Sequence, residues 1–210
     1  MKNNAKNNFP QPSVRRLPAY LRMLRKLKGD GQFQISCTRI AKELNLDSTQ
    51  VRKDLAITGI AGKPRVGYEI NPLIASIEVF LGWNHSMGAF LVGAGNLGKA
   101  LIGYENFTNY GLQIKAAFDV DPDKVGETIF GREVYPLSRM GELARQGGVM
   151  LGILTVPAQA AQAASEIMVA AGLRGIWNFS PVKLDLPDSV VVENVELVSS
   201  LAVLSLRLLR

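Results

Sequence analysis

The sequence is poor in residues that carry thiol and imidazole chemistry. Cys37 is the one cysteine and His85 the one histidine in 210 residues. A single cysteine excludes an intrachain disulfide and a cysteine-built metal cluster, and a single histidine excludes a histidine-rich active site. No His–Asp or Lys–Tyr pair at a telling spacing supplies the positioned acid or base that a dehydrogenase usually needs. No catalytic residue and no metal site are therefore expected. Long apolar runs are missing too: none reaches the roughly 18 residues of a membrane span. Residues 1–8 are polar, rich in Asn and without the apolar centre of a signal peptide. They read as a loose arm on a cytoplasmic protein.

What is present suffices for a substantial core, at 47% hydrophobic and 20% charged residues in a length of one or two domains. The net charge of +6 is uneven. Residues 1–85 carry 14 Lys and Arg against 6 Asp and Glu, whereas residues 86–210 carry 10 against 12. A basic half joined to a mildly acidic one points to a polyanionic partner, nucleic acid or an anionic membrane.

In the basic half, residues 14–28 place Val14, Leu17, Tyr20, Leu21, Leu24 and Leu27 on one helical face. Pro18 lies early and is tolerated best if the regular helix begins near it. Ser36 can cap a second helix over 37–44, and Asn45 suits the left-handed residue that closes it. Asp47 or Ser48 caps a third helix over 49–55, with Gln50 available for a capping box. Two short helices joined by a tight turn describe a helix-turn-helix, within about residues 20–60. The second bears Gln50, Arg52 and Lys53, long donors suited to purine edges. Gly62-Lys63-Pro64-Arg65-Val66-Gly67-Tyr68 reads as a wing over about 61–70, with Lys63 and Arg65 placed for phosphates or the minor groove. Asn71-Pro72 begins a further helix that ends near Gly82. A purely structural three-helix domain with a solvated basic face would give the same pattern.

The second half alternates strand and helix patterns, which predicts an α/β fold with a Rossmann-type doubly wound parallel sheet over 85–195. Strands are expected at 89–92, 112–119, near Val134, 149–154, 175–179 and 190–192. Helices are expected after residue 95 and at 139–146 and 157–171. A final helix, 196–210, is apolar at Leu197, Leu201, Leu204 and Leu208 and again at Val198, Val203 and Leu209. A helix apolar nearly all round, at a chain end, is expected to be covered by a partner subunit.

Between the first strand and first helix of this half lies Gly93-Ala94-Gly95-Asn96-Leu97-Gly98. In a dinucleotide site the first glycine allows the turn, the second admits the pyrophosphate, and the third lets helix and strand pack closely. Asp119 ends the second strand 21 residues beyond Gly98. An acid there accepts ribose hydroxyls and repels a 2′-phosphate, which favours NAD(H) over NADP(H). A plain strand-end turn with Asp121-Pro122-Asp123 also accounts for Asp119. Ligands of such sheets bind beyond the carboxyl ends of the strands. Thr155-Val156-Pro157 and Asn178-Phe179 are therefore candidates for the nicotinamide side, or else ordinary loops.

Several motifs occur in a telling order: Val51-Arg52-Lys53-Asp54-Leu55, the wing ending Gly67-Tyr68, the 93–98 loop, Phe118-Asp119-Val120-Asp121-Pro122, Leu154-Thr155-Val156-Pro157 and Val192-Glu193-Asn194-Val195. In these the chain resembles the redox-sensing transcriptional repressor family called Rex, over nearly its whole length. The resemblance implies a winged-helix DNA-binding domain over 1–84, an NAD(H)-binding domain over 85–195, and a C-terminal helix over 196–210 exchanged within a homodimer. It implies a repressor that holds pseudo-palindromic operator DNA, tolerates NAD+ and lets go on binding NADH. It also implies a switch in which the acid at Glu196 changes partner between Tyr104 and Arg22. Relatives often carry Asp where this chain has Glu196, which keeps the charge and changes the reach. Two other readings fit parts of the pattern: an NAD-dependent oxidoreductase with a basic accessory domain, and a winged-helix regulator of another nucleotide such as a coenzyme A derivative.

Overall fold

A computed structural model describes residues 9–209; the polar arm at 1–8 and the last residue of the predicted C-terminal helix, Arg210, lie outside the described residues. The chain divides into two compact units, Met1–His85 and Ser86–Arg210.

The first unit is built from α1 (Gln11–Gly29), β1 (Gln34–Ile35), α2 (Cys37–Leu44), α3 (Ser48–Ala56), β2 (Tyr68–Glu69) and α4 (Ile70–Leu81). Helix α1 starts three residues before the predicted 14 and runs through Pro18. A proline inside a helix costs about 3 kcal/mol. Leu17, Tyr20, Leu21 and Leu24 flank it and are wholly buried, and that packing outweighs the lost bond. Ser36 caps α2 by accepting the Arg39 N–H, and Asn45 closes it in the left-handed region at φ 53°. Asp47 caps α3 by accepting the N–H groups of Thr49 and Gln50. The capping box does not form, because the Gln50 amide donates forward to Asp54 instead. Helix α4 begins two residues early, at Ile70, with Glu69 rather than Asn71 at its cap. The core gathers the α1 leucines, Ile40 of α2, Val51 and Leu55 of α3, and Leu73 and Ile77 of α4.

The second unit comprises β3 (Met87–Val92), α5 (Asn96–Ile102), β4 (Leu112–Asp119), β5 (Thr128–Ile129), β6 (Arg132–Pro136), α6 (Met140–Gly147), β7 (Leu151–Leu154), α7 (Ala158–Ala170), β8 (Gly175–Asn178), β9 (Val191–Asn194) and α8 (Leu197–Leu208). They form one seven-stranded sheet in the order β5-β6-β4-β3-β7-β8-β9. Apart from β5, which runs antiparallel to β6 at the edge, every pairing is parallel. Counted from β3, the parallel strands follow the doubly wound order. Alternation along β3 sends Phe90 and Val92 to one buried cluster and Ala89 and Leu91 to the other. The β5–β6 hairpin is an addition to the single short strand expected near Val134. The β8–β9 crossover is a loop, where a regular alternation would have put a helix.

Candidate functional site

Strands β3 and β7 are sheet neighbours whose chains leave in opposite senses, so the crevice between their carboxyl ends is the topological switch point. The 93–98 loop leaves β3 and Thr155-Val156-Pro157 leaves β7. Gly93 sits at φ +101°, and a Cβ there would lie 2.8 Å from the Thr155 carbonyl oxygen. The Thr155 hydroxyl lies 3.0 Å from the Val92 carbonyl and 2.8 Å from that of Gly93, and so ties the two loops together. A Cβ on Gly98 would collide with the Gly93 carbonyl, so only glycine lets α5 fold back on β3. Gly95 is different: a Cβ there would meet nothing within 4 Å. It precedes α5, whose start no side chain caps. The first and third glycines are thus required by the chain itself, while the second faces open space. That division is what a pyrophosphate lying against the backbone demands.

Asp119 closes β4 beside this loop and is only 8% exposed. Its Oδ2 accepts the Ala94 N–H at 2.8 Å and lies 3.4 Å from Lys124 Nζ, and its Oδ1 accepts the Asp121 N–H at 3.0 Å. The expected strand-end turn is therefore present, and the acid also holds the glycine loop. Three donors occupy a carboxylate with about four acceptor sites, so one remains for a ribose hydroxyl. Lys124, which no motif in the sequence marks, pairs with both Asp119 and Asp121. Asp121 first raises the Lys124 ammonium above its usual range, and the Asp123 N–H in turn lowers Asp121.

Asn178 departs from expectation. It is wholly buried; its Nδ2 donates to the Val182 carbonyl and to Asn194 Oδ1, each at 2.9 Å, and its Oδ1 accepts the Ser180 N–H at 2.9 Å. Those bonds fold the helix-less crossover and join β8 to β9, so the Asn178 amide serves the fold. Phe179 packs on Trp177 and borders a cavity of about 940 Å³ between this crossover and the start of α8. Val156 is half-buried, and its carbonyl accepts the Ser180 hydroxyl at 2.6 Å; Pro157 is exposed at the mouth of α7.

In the first unit, α2 and α3 meet as a helix-turn-helix and β1 pairs with β2 at the base of the wing. Arg52 and Lys53 stand exposed on α3, and Lys63 and Arg65 are exposed on the wing. The wing tip closes through the Lys63–Gly67 bridge, with Arg65 at φ 64°. Lys63 Nζ lies 2.6 Å from Glu69 Oε1, an exposed pair worth little. Gln50 is half-buried and bonded to Asp54 at 2.7 Å, not free as a lone donor.

Asp54, in sequence one residue of the Val51–Leu55 motif, organises the unit. It is wholly buried and accepts from Arg16 Nε (2.6 Å) and Nη2 (2.8 Å), the Tyr20 hydroxyl (2.5 Å) and Gln50. Burial pushes its carboxyl up, but the hydrogen bonds, from Arg16 first and then Tyr20, Ser13 and Gln50, win and hold it at about 2. The same contact raises the Arg16 guanidinium, while burial and then Asp54 raise the Tyr20 phenol. The signal was the i, i+4 spacing of Arg16 with Tyr20 and of Gln50 with Asp54. It could not be joined across α1 and α3 without the fold.

Comparison with known proteins follows the same division. A family model described as a CoA binding domain matches residues 84–182, and one described as a putative DNA-binding protein N-terminus matches residues 8–56. A redox-sensing transcriptional repressor Rex of Treponema denticola is 47% identical over 201 residues, covering 95% of this chain and 96% of its own. The chain belongs to the Rex family. A crystal structure of RSP with β-NAD+ and operator DNA superposes with a TM-score of 0.89 at 33% identity, covering 95% of this chain and 92% of that one. RSP with β-NADH gives 0.86 at 32%, covering 96% and 94%. Rex relatives are named as repressors, not enzymes, and the oxidoreductase reading is not favoured.

Of the residues that the Rex resemblance assigns to a switch, Tyr104 and Glu196 have local partners. Tyr104 is 50% exposed, packs edge-on against Phe107, and its hydroxyl accepts from Asn106 at 3.2 Å. Glu196 accepts the Ser199 hydroxyl at 2.6 Å. Arg22 is exposed on α1 of the other unit. Among the described residues no group of His, Cys, Asp or Glu is placed to hold a metal ion, and no helix is long and apolar enough to cross a membrane.

Proposed function

We propose that this Rex chain is a cytoplasmic, homodimeric repressor that holds pseudo-palindromic operator DNA and releases it when NADH binds. The observation that carries the reading is the pairing, in one chain, of a helix-turn-helix with exposed cations and a glycine loop whose second glycine alone opens onto free space. Supporting it, a relative of matching length, RSP, is known with β-NAD+ and operator DNA and with β-NADH.

The site fits a dinucleotide. Gly93, Ala94, Gly95, Asn96, Leu97 and Gly98 would lie along the pyrophosphate, with Asp119 offering its remaining acceptor to the ribose. Thr155, Val156, Pro157 and Phe179 would border the nicotinamide. The cofactor supplies a ring whose positive charge is lost on reduction. The chain's part is to close differently around the two forms. Glu196 carries the charge at the start of α8, and its partner, Tyr104 or Arg22, selects between arrangements. Arg52, Lys53, Lys63 and Arg65 hold DNA through phosphates and grooves, with paired recognition helices about 34 Å apart, one turn of the duplex.

A gel-shift titration of the full chain on its selected operator tests this. NADH should dissociate the complex at concentrations where NAD+ leaves it intact. Equal responses to both, or none to either, would contradict the reading.

A further inference from the structure

Asp47 caps α3 and places Gln50 in its first turn, where a recognition helix meets base edges. One turn later the helix carries Asp54, whose Oδ1 accepts from Gln50 Nε2 at 2.7 Å. Asp54 is wholly buried, and its carboxylate is already bonded by Arg16 and Tyr20, so it acts purely as an acceptor. A flipped Gln50 amide would set a carbonyl oxygen against that carboxylate. The chemistry therefore fixes which end of the amide faces Asp54. One Gln50 N–H is spent there. The second N–H and the carbonyl Oε1 remain, and Oε1 takes no donor among the described residues. One donor beside one acceptor complements adenine, which shows N7 and N6–H₂ in the major groove; guanine shows two acceptors.

We propose that Asp54 is a positioning residue that sets the Gln50 amide to read an adenine in each operator half-site. The proposal rests on the operator-binding reading above. The full chain, its Gln50→Ala and Gln50→Glu forms and its Asp54→Asn form are each used to select sites from a random duplex library. The wild type is expected to select a symmetric site with adenine at one fixed position per half. Replacing that adenine with 7-deazaadenine, which lacks the N7 acceptor, should weaken wild-type binding about tenfold and leave Gln50→Ala unaffected. Gln50→Glu, an acceptor only, should shift the choice to cytosine. Asp54→Asn can turn its own amide and so turn Gln50 over; it should lose the adenine preference while keeping its salt-dependent affinity for non-specific DNA. If circular dichroism shows Asp54→Asn unfolded, the two Gln50 forms decide. A 7-deaza penalty that persists in Gln50→Ala, no such penalty in the wild type, adenine still chosen by Gln50→Glu, or adenine still chosen by a folded Asp54→Asn overturns the proposal. A wild type that selects no site at all overturns the DNA-binding reading instead.

Discussion

Gly95 and Gly98 divide the glycine loop between ligand binding and structure. Gly98 abuts the Gly93 carbonyl, and any Cβ must displace backbone. Gly98→Ala should therefore cost at least about 2 kcal/mol in denaturant unfolding. Gly95 faces open space at φ −78°, where alanine is at ease. Gly95→Ala should leave stability within about 0.5 kcal/mol of wild type while weakening NADH about tenfold, as read by fluorescence titration. Asp54 gives a pH signature. Its carboxyl is held at about 2 against an ordinary 3.8, so the stabilisation is present above about pH 4 and is lost as pH falls toward 2. The gain at neutral pH is about 2 kcal/mol. Asp54→Asn strands the Arg16 charge, should cost about 3 kcal/mol, and should flatten that acid limb in urea melts taken from pH 6 to pH 2.

At the scale of elements, α8 stands out. Val198, Leu201, Val203, Leu204, Leu206, Leu208 and Leu209 are all more than half exposed in the single chain. So much apolar surface on one helix calls for a second subunit to cover it. Sedimentation of the full chain should give a dimer, and a stop after Val195 should give a monomer or an aggregate; a monomeric full chain would contradict the assignment. Elements governed by local chemistry were legible before the fold was known. The Ser36, Asn45 and Asp47 caps, the β4 span and the glycine turn each depend on residues within one helical turn of each other. Elements governed by distant packing were not. Pro18 stays inside α1 because four buried side chains around it outweigh its cost, and Gln50 turns from its own cap because Arg16 and Tyr20 hold Asp54 beside it. Asn178 resembles a ligand-facing residue in sequence, but the crossover without a helix needs its amide to replace the missing element.

For the whole molecule, the claim is that one chain couples two bindings. A basic unit reads DNA, a glycine-lined crevice takes the nucleotide, and the energy that links them must act in both directions. Couplings of this kind span about 5–150-fold. The direct measurement is the NADH dissociation constant of the full chain, free and saturated with its operator, beside the operator dissociation constant with and without NADH. The account predicts that operator weakens NADH by the same factor by which NADH weakens operator, and that NAD+ shows no such antagonism. Independent binding, with both factors equal to one, or a matching antagonism from NAD+, would contradict it.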